Sequence, residues 1–502
     1  MQTRREFIKS AASAAIVGAG IAASLPEAGA QAPPVTRRKP NVIVVFADQL
    51  RSQSLACYGD AQAKTPNLDR LAFQGARFFN AISTWPVCSP FRGMLLTGRC
   101  PMSNGVISNG RAPFPGQKTI ATVLKENGYA TGYIGKWHLE SHTEPFVAKE
   151  NRQGFDYWAV RNLNHNYFES FYCGDTPEHV PLPGYEPVAQ TDLAVKYIES
   201  KKDKPFCLFM SWGPPHDPYN APEEYEKRFP AEKMELRENV SESAMVGEQI
   251  EKNPLDPESA PGKKRAEWRK WLDSDDGVRR NMASYYAAAT ALDDCMGTLT
   301  RAIRKAGIEE DTILIFTSDH GDMLGSHRMG SKQEPFEEAI SIPFIIRYPR
   351  VIPKLSATDA LLSPMDIMPT ILELAGLECP EEVEGISLAS AAMRQDCEEH
   401  EALLLMKMVP GGNPWIANAA TEWRGVRTKT HTYAKLQKGG PWLLFDNKKD
   451  PQQVKNLVND PEHKDLQEQM EKTLQSLLEK AHDPFDTEKI LSQVEQGWKK
   501  DQ

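Results

Sequence analysis

Five short apolar runs, separated by amphipathic stretches, set the outline of the fold. Residues 41–47 (Asn-Val-Ile-Val-Val-Phe-Ala) are continuous and β-branched, as a strand buried on both faces requires. Residues 130–135, 206–212, 312–317 and 342–347 repeat that character. Between them the spacing lengthens to that of a helix. Residues 66–73 carry Leu68 and Leu71 on one face, 119–127 stop at Gly128, the Ala-rich stretch 282–306 stops at Gly307, and 364–375 stop at Gly376. Strands alternating with helices predict an α/β domain: one large, mostly parallel sheet flanked by helices. From about residue 385 the pattern shortens. Residues 402–407, 425–435 and 442–445 read as strands and 464–481 as a polar amphipathic helix, which predicts a smaller C-terminal antiparallel sheet plus helix. The expected division is a main domain over 33–384, with a polar, Pro/Glu-rich insertion at 217–281, and a C-terminal subdomain over 385–502.

Composition narrows the partners. The 502 residues are 40% apolar and 25% charged, values that support a substantial core, with a net charge of −9. Such a chain has no general attraction for nucleic acid or an anionic bilayer, so any anion must be met by a local cluster of positive groups. Eight cysteines without CxxC spacing argue against a zinc ribbon or a disulfide framework. The N-terminus reads differently from the rest. Arg4-Arg5, an apolar and Ala/Gly-rich run to Leu25, and a small-x-small site at Ala28-Gly29-Ala30 or Ala30-Gln31-Ala32 resemble a bacterial twin-arginine export signal over 1–32. That run is too short to span a bilayer stably. It implies a twin-arginine translocase as partner and a mature protein that is periplasmic or secreted.

The chemistry stands where the strands end, which is where parallel sheets bind ligands. Asp48 and Gln49 follow the first run, Lys136 and His138 the second, His216 the third, and Asp319 and His320 the fourth. A single aspartate there would be an ordinary helix cap and a single lysine a solvated charge. Acids, imidazoles and a lysine from four elements at one edge make a site. Asp48, Asp319 and the Gln49 amide oxygen, with one imidazole from His320, describe a hard divalent cation such as Ca²⁺ or Mg²⁺, because zinc favours more His and Cys. The ligand implied is an anion held between that cation and Lys136. Cys88 precedes a Ser-Pro that opens a helix, where backbone N–H groups favour negative charge.

Cys88-x-Pro90-x-Arg92 followed by Leu95-Leu96-Thr97-Gly98-Arg99 resembles the signature of the type I, formylglycine-dependent sulfatases of the alkaline phosphatase superfamily. The resemblance runs over roughly 41–457 and takes in Ala-Asp-Gln, Gly-Lys-Trp-His, Pro-Pro-His, Ser-Asp-His-Gly-Asp and Gly-Ser-Lys-Gln in order. It implies that a formylglycine-generating or anaerobic sulfatase-maturing enzyme oxidises Cys88 to an aldehyde, whose hydrate is the nucleophile and a metal ligand. Arg92 would hold the hydrate oxygen. Asp48, Gln49, Asp319 and His320 would bind the metal, usually Ca²⁺, with Mg²⁺ or Mn²⁺ as alternatives. Lys136 and Lys332 would grip sulfate oxygens, His138 would take the hydrate proton, and His216 would protonate the leaving alcohol. Gln49 departs from the commoner second aspartate and brings one fewer charge. The expected activity is hydrolysis of a sulfate ester. The stretch 162–172, rich in Asn and aromatics, and Trp415 predict a pocket for a sulfated sugar. The competing readings are a phosphonate monoester hydrolase or phosphodiesterase of the same superfamily, a choline- or aryl-sulfatase, and an inactive sulfated-glycan-binding protein.

Overall fold

The computed structural model describes residues 39–141, 144–240, 260–409 and 422–500. The export-signal segment 1–32, the middle of the insertion (241–259) and Trp415 therefore lie outside the described residues. Among the described residues, ten strands make the large sheet: β1 (Asn41–Asp48), β2 (Ala76–Ala81), β3 (Ala130–Lys136), β4 (Tyr157–Arg161), β5 (Ser170–Cys173), β6 (His179–Leu182), β7 (Phe206–Pro215), β8 (Thr312–Ser318), β9 (Phe344–Arg347) and β10 (Ser356–Leu362). Their order in space is β10-β2-β9-β8-β1-β7-β3-β4-β5-β6. The block β8-β1-β7-β3-β4 is parallel throughout, with Val45 level with Met210 and Phe316. β9 runs antiparallel to both neighbours, and β5 and β6 complete an antiparallel edge.

The β1 sequence explains its central place. Val42, Val44 and Phe46 enter one core with Phe91, Leu95 and Ile371, while Ile43, Val45 and Ala47 enter another with Leu68, Tyr285 and Leu292. Alternate residues of one strand thus feed two cores, so the run has to be apolar without interruption. Helices Cys88–Thr97, Ile120–Glu126 and Ile367–Ala375 cover the first face; Pro66–Gln74, Glu186–Lys201 and Asp275–Lys305 cover the second.

The C-terminal sheet is a four-strand antiparallel meander of β11 (Ala402–Lys407), β12 (Trp423–Thr428), β13 (His431–Leu436) and β14 (Gly440–Asp446). The single strand expected over 425–435 is two strands and a tight turn, because Thr428 Oγ1 accepts from the backbone N–H of Thr430 and of His431 and folds the chain back. Two helices follow, where one was expected. Lys464–Lys480 covers this sheet through Met470, Leu474 and Leu478, and Thr487–Lys500 buries Ile490 and Val494 against Trp85, Val87 and Met94 beside the Cys88 helix. Within the insertion, the long helix starts at Asp275 rather than 282, capped by Ser274, whose hydroxyl accepts from Gly277 N. A further helix, Ala260–Leu272, precedes it. Among the described residues no helix is long and apolar enough to cross a membrane.

Candidate active site

Since β1, β3, β7 and β8 run the same way, their carboxyl ends open on one edge of the sheet. Asp48 closes β1, Lys136 closes β3, His216 follows β7, and Asp319 and His320 follow β8. Cys88 reaches the same place from the first turn of its helix and is 1% exposed. The turns that aim these side chains carry backbone conformations which only tertiary contacts hold. Gln49 (φ 69°) and His138 (φ 58°) lie in the left-handed region. Gln49 is fixed there by its N–H donating to Asp319 Oδ1 at 3.0 Å and by its carbonyl accepting from Tyr285 at 2.6 Å. Gly135, at φ 106°, precedes Lys136, and a Cβ there would meet Ser211 O at 2.1 Å, so the glycine of Gly-Lys-Trp-His is a requirement of close packing.

One donor atom from each of Asp48, Cys88, Asp319 and His320, all buried, lies within 4.8 Å of the others. His320 tests whether this group fits a cation. Burial holds its imidazole down to about 4, against the opposing pull of Asp319, so the ring is neutral. Nδ1 donates to the Gly321 carbonyl at 3.0 Å, leaving the Nε2 lone pair facing Cys88 Sγ at 3.2 Å, Asp319 Oδ1 at 3.4 Å and Asp48 Oδ1 at 3.6 Å. One imidazole nitrogen and two carboxylate oxygens converging on the Cys88 sulfur within this distance suit a hard divalent cation. The Gln49 side chain lies alongside, its Oε1 accepting from Lys332 Nζ at 2.5 Å and its Nε2 donating to Asp322 at 2.6 Å.

The positive groups are equally constrained. Lys136 Nζ donates to Asp48 Oδ2 at 2.5 Å and lies 3.9 Å from Cys88 Sγ. Lys332, on the segment after β8, donates to His216 Nε2 at 2.8 Å, while His216 Nδ1 donates to the Asp217 carbonyl at 2.8 Å. Burial first, and Lys332 second, hold His216 well below its ordinary range. Burial would raise Asp48, but Lys136 above all, with His216 and Lys332, holds it well below the usual carboxylate range. The Cys88 thiol is pushed up to about 11 by burial and the nearby Asp48, so it stays protonated at neutral pH. Arg92, 1% exposed, donates to Lys136 O at 2.6 Å, Ser211 Oγ at 2.8 Å and Asp319 Oδ2 at 3.1 Å. His138 is buried against the Cys88 helix: its carbonyl accepts from Ser89 Oγ at 2.5 Å and its N–H donates to Asn162 O at 2.7 Å.

All ten residues singled out in the sequence, Asp48, Gln49, Cys88, Arg92, Lys136, His138, His216, Asp319, His320 and Lys332, are buried at this edge. The sequence reading did not assign His165, whose ring stacks on His216 with centroids 4.2 Å apart, or Asp322, which accepts from Gln49 and Tyr219. Both had a signal. His165 lies in the stretch proposed for a sugar, and Asp322 ends Ser-Asp-His-Gly-Asp.

Comparison with known proteins agrees with this geometry. The family model described as sulfatase matches residues 40–377, and one described as N-sulphoglucosamine sulphohydrolase, C-terminal, matches 325–480. An ulvan-active sulfatase of Formosa agariphila is 35% identical over 457 residues, 89% of this chain and 82% of the relative. An N-acetylglucosamine-6-O-sulfatase of Bacteroides thetaiotaomicron is 28% identical over 90% of this chain and 89% of its own length. A protein solved in complex with its substrate D-glucosamine-2-N,6-O-disulfate superposes with a TM-score of 0.76 at 25% identity, covering 89% of this chain and 99% of that one. With the family model spanning most of the polypeptide and a relative at 35% identity along nearly all of it, the chain belongs to the sulfatase family, and it is a sulfuric ester hydrolase built on the alkaline phosphatase-like sheet.

Proposed function

We propose that the protein is an exported carbohydrate sulfatase that cleaves R–O–SO₃⁻ with water to the alcohol and inorganic sulfate, using Cys88 in its formylglycine form. The observation that carries this reading is the convergence of Cys88 Sγ, two carboxylates, one imidazole and two lysines at the end of the sheet. Formylglycine at position 88 would supply a geminal diol nucleophile, and Asp48, Gln49, Asp319, His320 and residue 88 would hold a divalent cation, which would supply charge against the sulfuryl oxygens. Lys136 and Lys332 bind those oxygens from two sides and stabilise the charge that develops on them. Lys332 Nζ and His216 Nε2, hydrogen-bonded at 2.8 Å, hold the proton that the leaving oxygen takes. His138, packed on the first turn of the Cys88 helix, accepts the proton whose loss releases sulfate. Arg92 holds the Asp319 carboxylate and the end of β3 in register with the helix.

A sugar as the alcohol is supported by relatives named for ulvan and N-acetylglucosamine 6-sulfate and by the neighbour holding a disulfated glucosamine. The catalytic domain is assigned to 33–384 and the C-terminal subdomain to 385–502. In the test, the tryptic peptide of residues 78–92 from active protein carries an aldehyde that reacts with a hydrazide, and the protein turns over members of a panel of regiospecifically sulfated sugars in preference to a phosphate diester. Recovery of only an alkylatable thiol from a fully active preparation, or preference for the diester, overturns it.

A further inference from the structure

Lys136 and His216 come from different strands, yet one residue outside the assigned set touches both. His165 stacks face to face on His216, 4.2 Å between centroids and 7° between planes, and its Nε2 lies 3.4 Å from Lys136 Nζ. Because the ammonium can only donate, Nε2 is the acceptor in that contact. His165 keeps an exposed face, whereas His216 and Lys136 are buried, so it stands on the solvent side of both.

The loop that carries His165 is built to hold it there. The Asn164 side-chain amide donates to Glu186 at 2.6 Å and to Ser170 Oγ at 2.8 Å, and Glu186, 3% exposed, also accepts from Gln190 at 2.6 Å. Asn162 Nδ2 donates to Ser141 O at 2.7 Å. Tyr167 reaches back to His216 itself, its hydroxyl donating to the His216 carbonyl at 3.0 Å, and Gly213 leaves room for that ring, since a Cβ there would lie 2.5 Å from it. An arrangement fixed by buried amides and a carboxylate on one side and by His216 on the other is costly to leave unmade, which separates it from a chance surface contact.

We infer that His165 is a positioning residue for the hydrolysis: by stacking on His216 it fixes the imidazole that serves the leaving oxygen, and by accepting from Lys136 it aims that ammonium at the sulfate. This rests on the roles proposed above for His216 and Lys136. The two contacts are separable. His165→Phe keeps a ring on His216 and deletes the acceptor for Lys136; His165→Gln offers an amide oxygen to Lys136 and deletes the stack.

Both variants, with His216→Ala and Lys136→Ala as controls, are assayed on a series of aryl sulfates from 4-nitrophenyl sulfate to phenyl sulfate. His165→Gln should lose kcat progressively as the leaving group becomes more basic, about tenfold more on phenyl sulfate than on 4-nitrophenyl sulfate, because only the poor leaving group needs the proton. His165→Phe should keep the wild-type dependence on the leaving group and raise KM about threefold to tenfold on every substrate. A merely structural role would lower melting temperature without separating the two variants. If both His165 variants stay within about twofold of wild type on every substrate while the controls are impaired, the role of His165 is overturned and the site assignment stands. If the controls are themselves silent, the assignment falls and the inference falls with it.

Discussion

Arg92→Met perturbs the site while leaving every proposed ligand and proton carrier in place. Methionine has similar reach and keeps a favourable contact with the Phe46 ring, over which the guanidinium carbon sits at 5.0 Å. What is lost is charge and hydrogen bonding: 3.1 Å to Asp319 Oδ2, 3.5 Å to Asp48 Oδ2, 2.8 Å to Ser211 and 2.6 Å to the Lys136 carbonyl. Removing one partner of a buried ion pair costs about 3–5 kcal/mol. Asp48 retains Lys136 at 2.5 Å, so Asp319 is the carboxylate left under-neutralised, and the cost falls near the lower limit, about 3 kcal/mol. The described residues from Lys39 onward belong to one compact unit. At about 2.1 cal/mol/K per residue its unfolding entropy is about 1 kcal/mol/K, so the melting temperature should fall by about 3 °C in chelator. With saturating Ca²⁺ the cation takes over the neutralisation of Asp319, and the fall should shrink to about 1 °C. Scanning calorimetry of both proteins in both conditions measures this. An equal fall with and without Ca²⁺, or none in either, would refute the view that the guanidinium and the cation share Asp319.

Asp319→Ala should abolish Ca²⁺ binding by titration calorimetry and reduce sulfate-ester turnover at least about 10²-fold, as loss of a main electrostatic stabiliser does; retained binding would remove Asp319 from the ligand set. Burial raises the Glu186 carboxyl to about 7, against the hydrogen bonds of Asn164 and Ser170. With the folded value above the unfolded one, the folded state binds the extra proton, and stability is lost as pH rises through that window, on the order of 3 kcal/mol in total. The melting temperature of Glu186→Gln relative to wild type should therefore climb between pH 5 and pH 8, and a pH-independent difference would show that Glu186 does not titrate there. Arg4→Lys with Arg5→Lys should retain the protein in the cytoplasm by fractionation; normal export of the double variant would count against a twin-arginine route.

Much of this molecule was legible in the chain because its signals are local. A short, uninterrupted β-branched run bounded by turn residues favours a doubly covered strand, and a polar residue following such a run falls at the carboxyl edge whichever neighbour the strand acquires. Asp48, Lys136, His216, Asp319 and His320 could therefore be placed on one edge from residues alone, and the Cys88 signature added the nucleophile. Strands whose polarity is set by a partner were not legible. β2 (Ala-Arg-Phe-Phe-Asn-Ala) leaves Phe79 47% exposed, and β6 lies at the sheet edge with three of its four residues exposed. Neither presents the continuous apolar run of a covered strand. The hairpin between β12 and β13 hinges on one threonine hydroxyl accepting two backbone N–H groups, a choice that composition does not force. The tertiary structure alone decided which groups meet. Lys136 finds Asp48 across 88 positions and Lys332 finds Gln49 across 283, and the stacking of His165 on His216 follows from a loop anchored by Asn164 on a buried glutamate. Local pattern fixes what a residue offers, while burial and chain crossing fix what it is offered to, and a buried charge is retained only where the fold brings it a partner.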